Sequence, residues 1–356
     1  MASFSTPSSL EPDSRTLRIG FIALTDAAPF AVAQELGIFT RHGVGVELRR
    51  EIGWATIREK IIYGELDAAH APAPMLWSTQ LGLGCRPCDV LTAHIINLNG
   101  NALTLSRGLW EAGVRDAVTL RDHIRTRRVR EPITLGVVFL YSFHHLMIRS
   151  WLQSAGIKPE QDVRIVVVPP AQMFRNLAVG TLDGYCVGEP WNSLAVREGI
   201  GWCPLWSSLH QPGHVEKVLM VTRRFAEERA AAHSALIAAL VEAGAWCDEP
   251  QSRDNLATIL SAPAFLNLPV PVLSPALQGR FDCGHGRIEH APEFIIFNRG
   301  EANVPTAARA HSLHSAHAAA GLLTPEAGVD SALPSQLFRE DLHRQALHQY
   351  HHHENA

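Results

Sequence analysis

One spacing limits what this chain can fold into. Leu17-Arg-Ile-Gly20-Phe21 is answered by Ile133-Thr-Leu-Gly136-Val137, 116 residues further on. The same offset carries Gly64-Glu-Leu66-Asp67 onto Gly180-Thr-Leu182-Asp183, and Pro74 onto Pro190. The interval is far longer than the roughly 20–50 residues of a solenoid unit. It describes two lobes built alike. In the first, apolar runs predict strands over 17–24, 44–48 and 66–70, and helical spacing predicts helices over 30–36 and 55–63, stopped by Gly37 and Gly64. The second repeats the order, with strands over 133–139, 163–168 and 182–187 and helices over 144–154 and 172–179.

Alternating strand and helix predicts an α/β fold with parallel sheets covered on both faces. Such sheets bind ligands beyond the carboxyl ends of their strands. The candidate loops are therefore 25–29, 51–56, 70–74, 140–144, 169–172 and 188–191, and two facing lobes bring them into one cleft. After Val218 the chain reads as mostly helical, with a helix over 225–247 returning to the first lobe and an irregular Pro-rich connection over 262–275. The division expected is a disordered N-terminal segment 1–16, a discontinuous first lobe of 17–102 plus 218–340, a second lobe of 103–217, and a His-rich tail, 341–356.

Composition excludes several partners. Lys plus Arg number 31 against 35 Asp plus Glu, a net charge of −4, so no direct nucleic-acid contact is expected. Hydrophobic residues make up 46%, enough for a core. No apolar run approaches the roughly 20 residues of a membrane helix, so no membrane insertion is expected. Residues 1–15 carry neither the basic nor the apolar region of a secretory leader. That reading places the protein in the cytoplasm, with the periplasm as alternative if a leader has been removed.

No nucleophile elbow, zincin helix, phosphate loop or dinucleotide fingerprint occurs. Cys85-Arg-Pro-Cys88 reads as a loop rather than a redox pair, and Cys186 as a buried mid-strand cysteine. The histidines at 311, 314 and 317 and those near the C-terminus read as solvated surface, so no metal and no cofactor are expected. Three residues stand out. Trp54 opens a helix and is either core or a flat cleft wall. Lys217 lies where the second lobe returns to the first and can aim a point charge into the cleft. His144 sits at a helix start, beside free backbone N–H groups.

Longer strings are then familiar. Leu17-Arg-Ile-Gly-Phe-Ile-Ala-Leu-Thr-Asp26, Gly53-Trp54-Ala-Thr56 and Asp67-Ala-Ala-His70-Ala-Pro-Ala-Pro-Met75 resemble the nitrate and bicarbonate substrate-binding protein family. So do Asn97-Leu-Asn99-Gly100-Asn101, Val168-Pro-Pro170-Ala-Gln172-Met173 and Cys186-Val-Gly-Glu189-Pro-Trp191-Asn192. The resemblance implies a two-lobed, periplasmic-binding-protein-like (type II) α/β fold with a ligand cleft between the lobes, and no catalysis. Pyrimidine-precursor synthases that share the fold carry a cysteine cluster absent from this chain.

Residue by residue, the resemblance implies a ligand site of Trp54, Asn101, His144 and Lys217, with Pro170 and Glu189 from the matching strings. Nitrate needs donors only, which suits a lysine and a histidine, whereas bicarbonate also wants an acceptor. The sequence departs from the family at Asn101, where a glutamine is usual, and at the bulky segment 140–143. Without a leader, it points toward a cytoplasmic branch: sensors of nitrate and nitrite that hold or release an antiterminator-type partner, the hinge lying near 101–105 and 216–220. The alternative is the substrate-binding component of a nitrate or bicarbonate ABC transporter.

Overall fold

The computed structural model describes residues 15–126, 131–323 and 332–354. Most of the N-terminal segment expected to be disordered, residues 1–14, lies outside the described residues. Fourteen strands follow in order among the described residues. They are β1 (Leu17–Ile22), β2 (Val46–Glu51), β3 (Ala68–Pro72), β4 (Val90–Leu91), β5 (Ile95–Asn99), β6 (Asn101–Ser106) and β7 (Ile133–Val137). Then come β8 (Val163–Val167), β9 (Gly184–Gly188), β10 (Gly201–Trp206), β11 (Val215–Thr222), β12 (Arg280–Gly284), β13 (Arg287–His290) and β14 (Ile295–Ile296).

They form two main sheets. One runs β14-β5-β11-β3-β1-β2, with β4 on β11; the other runs β10-β6-β9-β7-β8. A separate hairpin pairs β12 with β13. Each main sheet has the expected parallel core, β1 between β2 and β3 and β7 between β8 and β9. Neither sheet is wholly parallel. β11 runs antiparallel to β3 and β5, and β6 runs antiparallel to β9 and β10. The strands that carry the chain between lobes enter each sheet from its far end, which reverses their direction.

The repeat now has a physical cause. A Cβ on Gly20 would meet Leu66 Cδ1 at 2.5 Å, and one on Gly136 would meet Leu182 Cδ1 at 3.0 Å. Each glycine leaves room for the leucine that shares its offset. Asp67 Oδ2 accepts from the Arg18 N–H at 2.9 Å, and Asp183 Oδ2 accepts from the Thr134 N–H at 2.8 Å. Backbone N–H groups of the same aspartates bond Arg18 O and Thr134 O. Pro74 and Pro190 each cap the helix that follows the third strand of their lobe.

The chain changes sheets at Gly100, whose φ of 100° no L-residue adopts easily, and returns between Trp206 and Val215. Asn101 and Ala102 therefore pair in the second sheet, and Val215–Lys217 lie in the first. Both boundaries thus fall a few residues before the expected 102/103 and 217/218.

Beyond β11 the return differs from its expected form. The helix anticipated over 225–247 is two, Arg223–Glu228 and Ala230–Asp248, separated at Arg229. The longer one, 19 residues, would suffice by length and composition to cross a bilayer, contrary to the sequence reading. Here Leu236, Ile237, Leu240 and Ala243 are buried in the core under β1. The Pro-rich stretch contains a helix, Val270–Leu277, because Pro269 caps it and Pro271 falls in its first turn, where no N–H is needed. The supposed tail opens as the helix Glu340–Glu354, with His343 buried and bonded to Ala93 O at 2.8 Å. The helix Ala307–Ala319 spans the lobes. Ala310 and Leu313 sit in a core shared with β3 and β11, while Ala316 packs on the second-lobe core beside Phe143.

Candidate functional site

Where the strands of the two sheets end, their loops converge on a group of polar side chains with almost no solvent contact. Asp26 comes from the turn after β1, Trp54 from the start of the helix Trp54–Ile62 after β2, and His70 from β3 itself. Glu216 and Lys217 come from β11, His214 from the residue before it, Asn101 from the start of β6 and His144 from the first turn of the helix Phe143–Ser154. His214 is 5% exposed and every other member 2% or less.

Lys217 organises the group. Its Nζ lies 2.8 Å from Asp26 Oδ2, bonds Glu216 Oε1 and stands 5.5 Å from the centre of the Trp54 ring. Asp26 Oδ1 is 3.0 Å from His70 Nε2. Glu216 is also approached by Asn101 Nδ2 at 2.7 Å, His214 Nε2 at 3.3 Å and His144 Nε2 at 3.6 Å. Adjacent residues on a strand point to opposite faces. Glu216 and Lys217 nonetheless share this group, because the pairing of β11 with β5 shifts register on both sides of Lys217.

The charges support one another. Burial alone would raise the Asp26 carboxyl, but Lys217 and His70 outweigh it and hold it below its usual value. Burial likewise opposes the Glu216 carboxylate, yet Lys217, His144 and His214 keep it well below the usual range. Lys217 is raised because the two carboxylates overcome its own desolvation. His70 is lowered by burial against the pull of Asp26. His144 is pushed down to about 4, first by burial and then by Lys217, with Glu216 opposing. The two carboxylates, Asp26 and Glu216, thus meet at one ammonium, Lys217.

Several buried polar atoms here have no hydrogen-bond partner: Trp54 Nε1, Asn101 Oδ1, both ring nitrogens of His144 and of His70, and both carboxylate oxygens of Asp26, the last two residues meeting only as an ion pair. Since Asn101 gives its amide N–H to Glu216, the atom it leaves over is an acceptor, not the donor the sequence implied. A Cβ placed on Gly188 would meet Asp26 Oδ2 at 3.3 Å and Asn101 Oδ1 at 3.5 Å. Only hydrogen stands there, which lets the second lobe's wall approach the carboxylate closely.

The structure brings together four of the six residues named from sequence: Trp54, Asn101, His144 and Lys217. The other two are buried apart from the described contacts of that group. Pro170 opens the helix Pro170–Ala178. Glu189 turns its carboxylate to the Ser193 N–H at 3.2 Å, and burial raises it to about 7. Its backbone seams the lobes, accepting from the Thr25 N–H at 2.7 Å and donating to Gly100 O at 3.3 Å. Asn99, whose φ is 63°, shapes the crossing and binds Glu293 O and the Gly213 N–H. Sequence reasoning missed Asp26, His70, His214, Glu216 and Gly188 as contact residues. Asp26, His70 and Gly188 lay inside the candidate loops, so strand-end position was the signal available.

A model of the NMT1-like family matches residues 10–261. The chain belongs to the NMT1-like family. It is 37% identical over 301 residues to the nitrate import ATP-binding protein NrtC of Synechocystis sp., covering 82% of this chain and 44% of that protein. It is also 37% identical over 260 residues to the bicarbonate transport ATP-binding protein CmpC of Synechococcus elongatus, covering 71% of this chain and 38% of that one. The chain thus spans less than half the length of these two relatives. The crystal structure of the periplasmic nitrate-binding protein NrtA from Synechocystis superposes with a TM-score of 0.89 at 28% identity, over 95% of this chain and 89% of that one. The fold is the two-lobed, periplasmic-binding-protein-like α/β fold, and the family is the one that the sequence strings resembled.

Proposed function

We propose that this chain is a non-catalytic binding protein for a small planar oxyanion of the nitrate, nitrite and hydrogencarbonate class, held in the buried cluster between the lobes. The observation that carries the reading is the set of unpartnered polar atoms on Trp54, His144 and Asn101. A buried polar group without a partner costs about 1–3 kcal/mol, and a small polar ligand lying among these atoms would satisfy several at once. The relatives named for nitrate and for bicarbonate support the class. No group in the cluster is poised as a nucleophile, and the nearby Cys186 thiol is held well above its usual range by burial.

Nitrate is the first ligand to test. Hydrogencarbonate is the second reading, favoured by one observation: Asn101 Oδ1 faces the site as an acceptor, which an anion bearing a proton can use. Titration calorimetry with nitrate, nitrite and hydrogencarbonate decides between them. Heat from nitrate with none from hydrogencarbonate supports the first; the reverse supports the second; no heat from any of the three removes the proposal.

The output belongs to the same proposal. Closing on the anion changes the surface that a partner reads, and a ligand shifts that equilibrium by its differential affinity for the two states. One candidate partner is an antiterminator-type regulator released on anion binding; the other is an ABC transporter, supported by the resemblance to NrtC and CmpC. Pull-down from native cells with and without nitrate, together with the compartment from which the protein is recovered, separates the two. A partner lost on nitrate addition supports the sensor. Periplasmic recovery with an anion-indifferent partner set supports the transporter.

A further inference from the structure

Asp26 and Glu216 share a single ammonium, Lys217, within a space closed to water. An oxyanion entering the cluster adds one negative charge, and an uncompensated charge in a dry interior is strongly disfavoured. We propose that the site takes its anion together with one proton, and that this proton lodges on His144. The inference rests on the oxyanion reading above.

The geometry selects His144 from the imidazoles present. His70, though without a hydrogen bond at either ring nitrogen, holds Nε2 in ion-pair range of Asp26 Oδ1 at 3.0 Å, so a proton there is drawn to that carboxylate. His214 directs Nδ1 to Gln211 O at 3.2 Å and Nε2 to Glu216 Oε2 at 3.3 Å. His144 has neither ring nitrogen bonded, and its Nε2 stands 3.6 Å from Glu216 Oε1. A neutral imidazole carries one N–H and the imidazolium two. Protonated, His144 gives one N–H to Glu216 and the other to the anion, so one proton satisfies both nitrogens and offsets the charge that the anion brings.

The groups that act on His144 come from every side. Glu216 and Lys217 lie on β11, His214 just before it, and Asp26 on the turn after β1. His70 on β3 adjoins Asp26. Further out are Cys186 on β9 and His317 on the helix Ala307–Ala319, both within the field of Glu216. His145 turns away, its Nδ1 on Leu140 O at 2.8 Å. Before the anion arrives, burial and Lys217 keep His144 neutral. The anion reverses that preference, so by linkage it binds more tightly as pH falls.

Nitrate is the right probe because it does not titrate in this range. Calorimetry at pH 6 to 8, in buffers of different ionisation enthalpy, reads the protons taken up per nitrate bound. The expected result is uptake approaching one proton and an affinity that falls with rising pH, toward about tenfold per unit. Nitrogen-15 spectra of the histidines should show His144 pass from neutral imidazole to imidazolium on nitrate addition. His144→Gln keeps a donor but cannot hold the proton, and its uptake should vanish. Nitrate binding with no proton uptake, or uptake with His144 still neutral, overturns the proposal while leaving the oxyanion reading standing. Nitrate binding that requires a divalent cation and takes up no proton overturns it too. Absence of binding by any of the three anions overturns the oxyanion reading itself.

Discussion

The two walls of the cleft are built on the same repeat but do unequal work. The first sheet and its loops hold all the fixed charge, in Asp26, Glu216 and Lys217, together with the Trp54 ring. The second lobe contributes groups that are neutral as they stand: Asn101, His144 and the bare edge of Gly188. The repeated Gly20 and Gly136, Leu66 and Leu182, and Asp67 and Asp183 join neighbouring strand ends in each lobe. Duplicated residues therefore explain the frame, and the loops where the lobes diverge explain the chemistry. The ion pairs of Lys217 with Asp26 and Glu216 lie wholly within the first wall, so Lys217 is the counter-ion of two buried carboxylates.

That comparison can be broken most directly at Lys217. Lys217→Met should destabilise the fold by about 3–5 kcal/mol, because it leaves two carboxylates in a dry interior without their cation. On the opposite wall, Asn101→Ala should cost about 1.5–3 kcal/mol, the loss of one hydrogen bond to a charged group. Urea denaturation of both variants at pH 7.5 reads the difference. Equal losses would mean that charge is not concentrated on the first wall.

A second test uses acid. His144 in the cleft, His233 at the back of the first lobe and His317 on the spanning helix are all held at about 4 by burial. The unfolded chain binds protons near 6.5 that the fold refuses. The contribution of these three histidines is therefore complete above pH 6.5 and falls as pH drops toward 4, by up to about 1.4 kcal/mol per unit for each. His233→Phe should flatten the slope measured by urea denaturation between pH 6.5 and 4.5 without changing anion binding. An unchanged slope would show that His233 is not titrating.

The second wall is sharpened by Gly188→Ala. Its backbone is unstrained and the new methyl would sit between Asp26 Oδ2 and Asn101 Oδ1. The variant should melt within a few degrees of the parent, yet bind nitrate at least about tenfold more weakly, a change of about 1.4 kcal/mol. Undiminished affinity would place the ligand away from this gap. The smallest effect is expected at Trp54→Phe, which keeps an aromatic ring and removes the unpartnered Nε1 donor. A loss of about 1 kcal/mol, roughly fivefold in affinity by calorimetry, is expected. No loss would make Trp54 a packing residue alone.

Much of the frame was legible in the residues. The offset between Gly20 and Gly136 revealed two lobes, strand-end loops located the cleft, and the resemblance picked out Trp54, Asn101, His144 and Lys217. Pro170 and Glu189 stand in equally specific strings, but the first starts a helix and the second seams the lobes through its backbone. A string that shapes a turn or a crossing looks no different, in one sequence, from one that holds a ligand. Glu216 was hidden for another reason. Strand alternation sends neighbours to opposite faces, and only the register shifts around Lys217 let both enter the cleft.

By itself, the sequence determined what is local or periodic: alternating strand and helix, the glycine-to-leucine and aspartate-to-amide contacts that recur in each lobe, and the positions where strands give way to loops. Only the tertiary structure decided the charge at the centre of the site. Asp26, His70, His144 and Glu216 are scattered along more than half the chain, and each has an ordinary protonation behaviour in isolation. Their ionisation is set by mutual distance and by exclusion of water. Both arise when β11 crosses back between the lobes and places Lys217 between two carboxylates.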